Sequence, residues 1–265
     1  MPAADRPERP VLPVFILGSP RSGTTAMAMG LARLKRFGRY RLEGHFLYHF
    51  HPGLVRVATG RVGGNSIVME AEQAARFIGE FKRSVNRLYS ETGDPDDEAW
   101  IDKTPDHKQA AAIPSINALW PDARYIFLYR PPLQAVRASA AMPHWKLEGH
   151  EGAVAQRWVE CQAAWRRHRD RLKGRAVEVF QPDMLADPAG TAAALAPLLD
   201  LSDDEVNMLT TFWSKNDRLN RPSKPEAEKA YDLFELSKAA RDEVAAITSE
   251  EAARWPRLAD HGDPA

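Results

Sequence analysis

Short apolar runs, bounded by turn residues, alternate along this chain with longer segments that carry apolar residues at helical spacing. Three runs predict buried strands, Val11–Leu17, Arg124–Tyr129 and Ala176–Phe180, because a strand covered on both faces is apolar throughout. The longer segments predict helices at Thr25–Leu34, Ala71–Ser90, Lys108–Leu119, Pro132–Ala141, Ala153–Lys173, Pro188–Leu199 and Asp203–Trp213. This alternation predicts a three-layer α/β domain, in which helices flank a parallel sheet. Ligands of such sheets bind at the carboxyl ends of the strands.

The remaining segments carry weaker patterns. Residues 53–65 hold several glycines and predict a mobile loop, and the charged stretch 226–251 predicts one or two peripheral helices. We expect a disordered lead-in at 1–10, a single domain over 11–257 and a flexible tail at 258–265.

Charge and cysteine content exclude several classes of protein. The chain has 36 basic and 36 acidic side chains, so no general positive field attracts nucleic acid or an anionic membrane. No apolar stretch approaches the roughly 18 residues of a membrane span, and residues 1–10 lack the apolar core of a signal sequence. The single cysteine, Cys161, rules out an internal disulfide and is typical of a reducing compartment. We therefore expect a cytoplasmic protein whose anion binding depends on local clusters of residues.

The most informative segment follows the first predicted strand and reads Gly-Ser-Pro-Arg-Ser-Gly-Thr-Thr over residues 18–25. Gly18 and Gly23 have the spacing of a phosphate-binding P-loop, but Thr24 stands where a nucleotide hydrolase has lysine. Backbone N–H groups and the dipole of the next helix favour an anion there, and the Arg21 guanidinium can donate to two oxygens of that anion. The segment indicates binding of an anion other than a nucleoside triphosphate. The alternative is an ordinary glycine-rich turn.

This loop resembles the loop that holds the 5′-phosphosulfate in sulfotransferases that use 3′-phosphoadenosine 5′-phosphosulfate (PAPS). The resemblance is strongest to the branch that contains tyrosylprotein sulfotransferases and many bacterial ones, where Pro-Arg-Ser-Gly-Thr-Thr is common. It implies the sulfotransferase fold, PAPS as the donor, 3′-phosphoadenosine 5′-phosphate (PAP) as the product, and no metal. The residues that it assigns to the phosphosulfate are Ser19, Arg21, Ser22, Gly23, Thr24 and Thr25.

A second candidate phosphate site follows the predicted strand at Arg124–Tyr129. Arg130 ends the strand and Ser139 lies in the next helix, which is similar to the motif that holds the 3′-phosphate in the same family. The family's serine stands eight positions after the arginine, where this chain has Ala138, and Ser139 stands nine after it. Either the turn is one residue longer or Arg137 helps instead. The alternative is a strand that ends in a solvated arginine.

Lys103 precedes Thr104 and Pro105, and this element resembles the Lys-x-Pro element of the same branch. The resemblance implies that the lysine contacts the oxygen that bridges sulfate and phosphate. A fixed ammonium there stabilises the negative charge that grows on the leaving oxygen. The alternative is an exposed lysine before a turn.

Candidates for a general base lie in residues 41–51, which contain Glu43 and three histidines. An alcohol that attacks sulfur must lose a proton, and a carboxylate or an imidazole can take it. By resemblance, Glu43 matches the base of the tyrosylprotein enzymes and His45 the histidine of some other sulfotransferases, and we favour Glu43. His45 and His49 also have a zinc-helix spacing, but no further ligands are evident, so we predict no metal site.

A basic, proline-containing loop at 219–225 contains Ser223 and Lys224. Sulfotransferases of the resembling type close a late loop over the donor, so both residues are candidates for contacts with it. A solvated linker between helices is the alternative.

These landmarks, in this order, predict a PAPS-dependent sulfotransferase that acts on a hydroxyl or amine of a small molecule, a lipid or a sugar. One alternative is a small-molecule kinase, which the missing loop lysine disfavours. Another is a nucleotide-binding module without catalysis. We expect no nucleic-acid partner, and the sequence predicts neither the identity of the acceptor nor the oligomeric state.

Overall fold

The computed structural model of the chain describes residues 12–37, 43, 46–58, 70–90, 99–140, 142, 149–215 and 235–260. At its centre lies a parallel sheet of four strands in the order β2-β1-β3-β4. The strands are β1 (Leu12–Gly18), β2 (Ala99–Lys103), β3 (Arg124–Tyr129) and β4 (Ala176–Phe180). The predicted α/β class and the three predicted strands are confirmed.

Helices cover both faces of this sheet. They are α1 (Thr24–Leu31), α2 (Phe46–Ala58), α3 (Ala71–Ser90), α4 (His107–Ala111), α5 (Ile113–Leu119), α6 (Pro132–Ala140), α7 (Glu151–Arg166), α8 (Gln181–Ala186), α9 (Pro188–Leu199), α10 (Asp203–Lys215), α11 (Lys238–Ala252) and α12 (Pro256–Asp260). A 3₁₀ turn at Arg169–Leu172 follows α7.

Strand side chains alternate between two apolar cores, because successive residues of a strand point to opposite faces. One core is rich in aromatic rings, and the Phe127 ring of β3 stacks on Trp165 of α7 at 4.8 Å between centroids. The other core is mainly aliphatic and includes Ile16 of β1 and Leu128 of β3, packed with residues of α1, α9 and α10. Both faces of the sheet are therefore covered, and the carboxyl edge of its strands is left for a site.

Strand β2 is not among the three strands that the apolar runs predict. Its five residues are all buried, but two of them, Asp102 and Lys103, are charged and hide the pattern. The burial is possible because each charge has a polar partner within the fold, described below.

Several boundaries differ from prediction; α7, for example, ends at Arg166, and a 3₁₀ turn follows it within the predicted range Ala153–Lys173. Helix α2 extends into the predicted loop at 53–65, because Leu54 is buried in the aromatic core. The predicted helix Lys108–Leu119 is two helices that meet at Ala112. Pro114 stands in the first turn of α5, where its missing N–H has no helical partner to lose. Leu258, expected in the tail, is buried within α12.

None of the described helices is both long enough and apolar enough to cross a membrane.

Candidate active site

The loop after β1 has a backbone that only certain residues accept. Gly18 has φ 146° and Gly23 has φ 90°, and Arg21 also adopts a positive φ of 67°. A Cβ atom on Gly18 would lie 2.3 Å from the carbonyl oxygen of Leu128 in the neighbouring strand. Glycine is thus required at residue 18 both for the φ angle and for the close approach of β1 to β3.

Two serines of this loop have different environments. The Ser22 hydroxyl donates to the carbonyl oxygen of Ser19 at 2.7 Å, and Ser22 is fully buried. Its hydroxyl hydrogen is therefore used within the loop, and the direct contact with the phosphosulfate stays a prediction. The Ser19 hydroxyl oxygen is buried and has no hydrogen-bond partner among the described residues. A buried polar atom in that state takes its partner from a ligand or from water.

Helix α1 starts directly after the loop. Gly23 is its N-cap residue, and the Met27 amide donates to the Gly23 carbonyl oxygen at 3.1 Å. Thr24 is buried and Thr25 is exposed. The first amides of α1 and the loop amides thus lie beside one another, the arrangement that favours an anion.

Arg130 connects the second predicted phosphate site to this loop. Its Nη1 donates to the backbone oxygen of Arg21 at 2.9 Å, and its Nη2 donates to Gln134 Oε1 at 3.3 Å. The indole N–H of Trp158, in α7, donates to the Arg130 carbonyl oxygen at 3.2 Å. The end of β3 is therefore fixed against both the loop and α7.

Ser139 does not join Arg130 in the structure. It is fully buried, and its hydroxyl donates to the carbonyl oxygen of Ala135 in the preceding turn of α6 at 2.9 Å. The neighbouring Ala138 is buried as well, whereas Arg137 is exposed. The shift of one residue noted in the sequence thus turns the serine towards its own helix.

Lys103 and Glu43 form an ion pair at the end of β2, although 60 residues separate them in the chain. The Lys103 side chain is 3% exposed, whereas that of Glu43 is 36% exposed. The two residues predicted as leaving-group cation and general base therefore lie in contact. The exposed-lysine alternative is wrong, because this lysine is buried.

A network of hydrogen bonds fixes the strand end behind Lys103. Asp102 accepts hydrogen bonds from the Tyr89 hydroxyl, from Thr104 Oγ1 at 3.0 Å and from Gln109 Nε2 at 3.4 Å. The Thr104 amide donates to the carbonyl oxygen of Ile16 in β1 at 3.3 Å. The position of the lysine is thus set by groups from α3, α4 and β1.

Tyr48 is a candidate site residue that no sequence motif indicated. Burial, reinforced by the carboxylates of Asp106 and Glu43, raises the pKa of its phenol. The phenol therefore stays protonated near Glu43 and is a hydrogen-bond donor. Its signal in the sequence is its place within the aromatic and histidine-rich run at 45–51.

The histidines of this run divide between packing and surface. The His51 ring lies 2.7 Å from Ser115 Oγ, and burial lowers the pKa of His51. His49 is exposed, with its ring 4.3 Å from that of Tyr48. His51 is therefore a packing residue between α2 and α5.

Several predicted residues fall elsewhere. His45, Ser223 and Lys224 lie outside the described residues, as does the loop at 219–225. Within the described part of the chain, no three His, Cys, Asp or Glu side chains are grouped so as to hold a metal ion. Cys161 is buried, and burial raises the pKa of its thiol well above the usual value.

The arrangement at this edge of the sheet fits a ligand with two anionic groups. Arg21 and Arg130 belong to the joined loop and strand end, and Lys103 lies at the end of β2, beside β1. Phosphate and sulfate oxygens accept hydrogen bonds from such cations and from backbone amides. The same loop contains Ser19, whose buried hydroxyl has no hydrogen-bond partner among the described residues.

A family model described as the sulfotransferase family matches residues 13–205, which is well over half of the chain. The chain belongs to the sulfotransferase family. The match includes the loop, Glu43, Lys103 and Arg130, so it covers the described site. Membership makes the protein a transferase. No curated protein matches the chain in sequence.

Solved bacterial sulfotransferases share its fold. The sulfotransferase domain from the curacin biosynthetic pathway superposes with a TM-score of 0.56 at 17% identity, covering 92% of this chain and 98% of that domain. The sulfotransferase domain of the Synechococcus PCC 7002 olefin synthase gives 0.56 at 17%, covering 93% and 97%. The sulfotransferase from Alicyclobacillus acidocaldarius gives 0.55 at 16%, covering 95% and 96%. At these identities the likeness concerns the fold.

Proposed function

We propose that this sulfotransferase transfers the sulfuryl group of PAPS to a hydroxyl or amine of a small-molecule, lipid or sugar acceptor. The observation that carries the proposal is the ion pair of Lys103 and Glu43 at the same sheet edge as the loop at 18–25. One end of the site thus offers an anion-binding loop, and the other offers a cation and a carboxylate in contact.

The donor would be held by two sets of groups. The phosphosulfate fits the loop, with its amides, Ser19, Arg21 and the threonines at the start of α1. The 3′-phosphate fits Arg130, which the Trp158 indole and the loop already hold in position. Ser139 is left out of this proposal, because its hydroxyl is bonded to Ala135.

PAPS supplies an already activated sulfuryl group, which passes in line to the acceptor atom. Lys103 stabilises the negative charge that develops on the leaving phosphate oxygen, and its burial leaves that charge little screened by water. Glu43 is open to solvent on one side and takes the proton of the acceptor. The Tyr48 phenol, which stays protonated, is available as a hydrogen-bond donor in the same region.

The ion pair gives Glu43 and Lys103 a defined order of action. Oxygen atoms of a bound donor compete with the Glu43 carboxylate for the Lys103 ammonium. Once Lys103 contacts the donor, Glu43 is released towards the acceptor. The base therefore becomes available only when the donor is in place, which limits unproductive chemistry.

Calorimetric titration with PAP, with ATP and AMP as comparison ligands, tests the donor class. We expect PAP to bind more tightly than either, with no requirement for magnesium. Radiolabelled PAPS incubated with a panel of alcohols, phenols, sugars and amines then tests the transfer. A preference for ATP with magnesium would contradict the proposal and favour a kinase. PAP binding without transfer to any acceptor would favour a nucleotide-binding module.

A further inference from the structure

A small cleft of about 70 Å³ opens beside the anion-binding loop, between that loop, α6 and α7. Ser19 and Pro20 of the loop form one wall, and Ala135 of α6 lies at another. Arg157 and Trp158 of α7 complete it. The walls are mostly apolar, and an arginine is the charged residue that lines them. The cleft thus combines a mostly apolar lining with one cation.

Two observations indicate that this cleft holds a ligand. The buried Ser19 hydroxyl, which has no partner among the described residues, belongs to its lining. The cleft also adjoins the second phosphate site, since Trp158 in its wall donates to the Arg130 carbonyl oxygen. The cleft therefore lies beside the end of β3 that carries Arg130.

Arg157 is the residue of α7 best placed to bind an anion there. It is exposed, it lines the cleft, and it directly precedes Trp158, which is attached to the end of β3. The serine that the family motif supplies for the 3′-phosphate is turned away in this chain, because Ser139 is bonded to Ala135. Arg137, the alternative partner in α6, is not among the residues that line the cleft, whereas Arg157 is.

We propose that Arg157 binds the phosphate on the 3′ carbon of the donor's ribose, together with Arg130, and so determines the selection of 3′-phosphorylated nucleotides. The proposal rests on the proposed use of PAPS. A guanidinium offers two parallel N–H groups to phosphate oxygens.

The test compares PAP with AMP, which lacks the 3′-phosphate, in calorimetric titrations of the whole chain. The measured quantity is selectivity, the ratio of the Kd for AMP to the Kd for PAP. We expect Arg157→Ala to lower this selectivity about 10- to 100-fold by weakening PAP binding while AMP binding stays unchanged. Arg157→Lys keeps the charge but not the two parallel N–H groups, so its selectivity should lie between those of the wild type and Arg157→Ala.

Arg167→Ala is the matched control, because it removes the same charge from an exposed position at the end of the same helix. It should leave selectivity unchanged. The unfolding temperature of each variant verifies that the chain is folded, and Arg157→Gln replaces the alanine variant if that one unfolds.

Three results would overturn the assignment of Arg157. Equal losses for PAP and AMP would mean that Arg157 contacts another part of the nucleotide, and unchanged affinity for both would mean that it contacts none. A wild-type chain that binds PAP no better than AMP would instead refute the proposed donor, and the role of Arg157 with it.

Discussion

The two ends of the candidate site are built in different ways. The end formed by the loop at 18–25 is local: backbone amides, two glycines and Arg21 stand within eight consecutive residues. The end formed by Lys103 and Glu43 brings together side chains that are 60 residues apart. The first depends on backbone geometry, and the second depends on how helices and strands pack.

This difference indicates where each end is sensitive. A loop held by close backbone approach fails when an atom is added, as at Gly18, 2.3 Å from a neighbouring carbonyl. A pair of side chains loses its chemistry when one group changes, while the fold around it persists. The four predictions below test this division.

The largest effect is expected for Gly18→Ala. The added methyl group would press on the Leu128 carbonyl oxygen at a φ that alanine rarely adopts, so we expect a loss of roughly 2–5 kcal/mol in the free energy of unfolding. PAP binding should be lost as well. Thermal unfolding and calorimetry measure both.

Gly174→Ala is the control for that variant, because Gly174 also has a positive φ, 75°, but no atom within 4 Å of the added methyl group. It should cost only about 1–2 kcal/mol for the backbone conformation. Equal losses in the two variants would show that close approach to β3 is unimportant.

Glu43→Gln should lower kcat roughly 10²- to 10⁴-fold, because the amide cannot accept the proton of the acceptor. PAP affinity should stay near its wild-type value, because glutamine still accepts a hydrogen bond from Lys103. Single-turnover transfer from labelled PAPS measures the rate. Glu250→Gln, on an exposed side chain, is the control. If His45→Ala stops turnover and Glu43→Gln does not, the base is His45.

Arg130→Ala should weaken PAP binding by roughly 1.5–3 kcal/mol, the usual contribution of a hydrogen bond to a charged group. Arg124→Ala removes the same charge from the opposite end of the same strand and should leave PAP affinity unchanged. Calorimetric titration of both variants measures the difference. Unchanged PAP affinity in Arg130→Ala would refute its assignment to the 3′-phosphate.

The smallest effect is expected for Ser139→Ala. Its hydroxyl bonds to the carbonyl oxygen of Ala135, so its loss should change PAP affinity less than about twofold. A tenfold loss would mean that the serine turns towards the ligand when the donor binds. The same titration therefore distinguishes Ser139 from Arg130.

Much of the fold was predictable from local patterns. Strands β1, β3 and β4 appear as apolar runs, and the predicted ranges of α3 and α9 agree with the structure. Strand β2 was not read as an apolar run, because Asp102 and Lys103 interrupt it. Their burial depends on Tyr89, Gln109 and other distant residues, which no local pattern reveals.

The sequence by itself determined the anion-binding loop and its place after a buried strand. Glycine spacing, the arginine and the missing lysine are properties of consecutive residues, and so is the sulfotransferase resemblance. Backbone conformation depends mainly on such neighbours.

Only the tertiary structure decided which side chains meet. It brings Lys103 to Glu43, turns Ser139 into α6, and lines a cleft beside the loop with Arg157. These contacts join residues from separate helices and strands, so they depend on packing of the sheet against its two helical layers. A side chain's partner is set by that packing, which no spacing along the chain encodes.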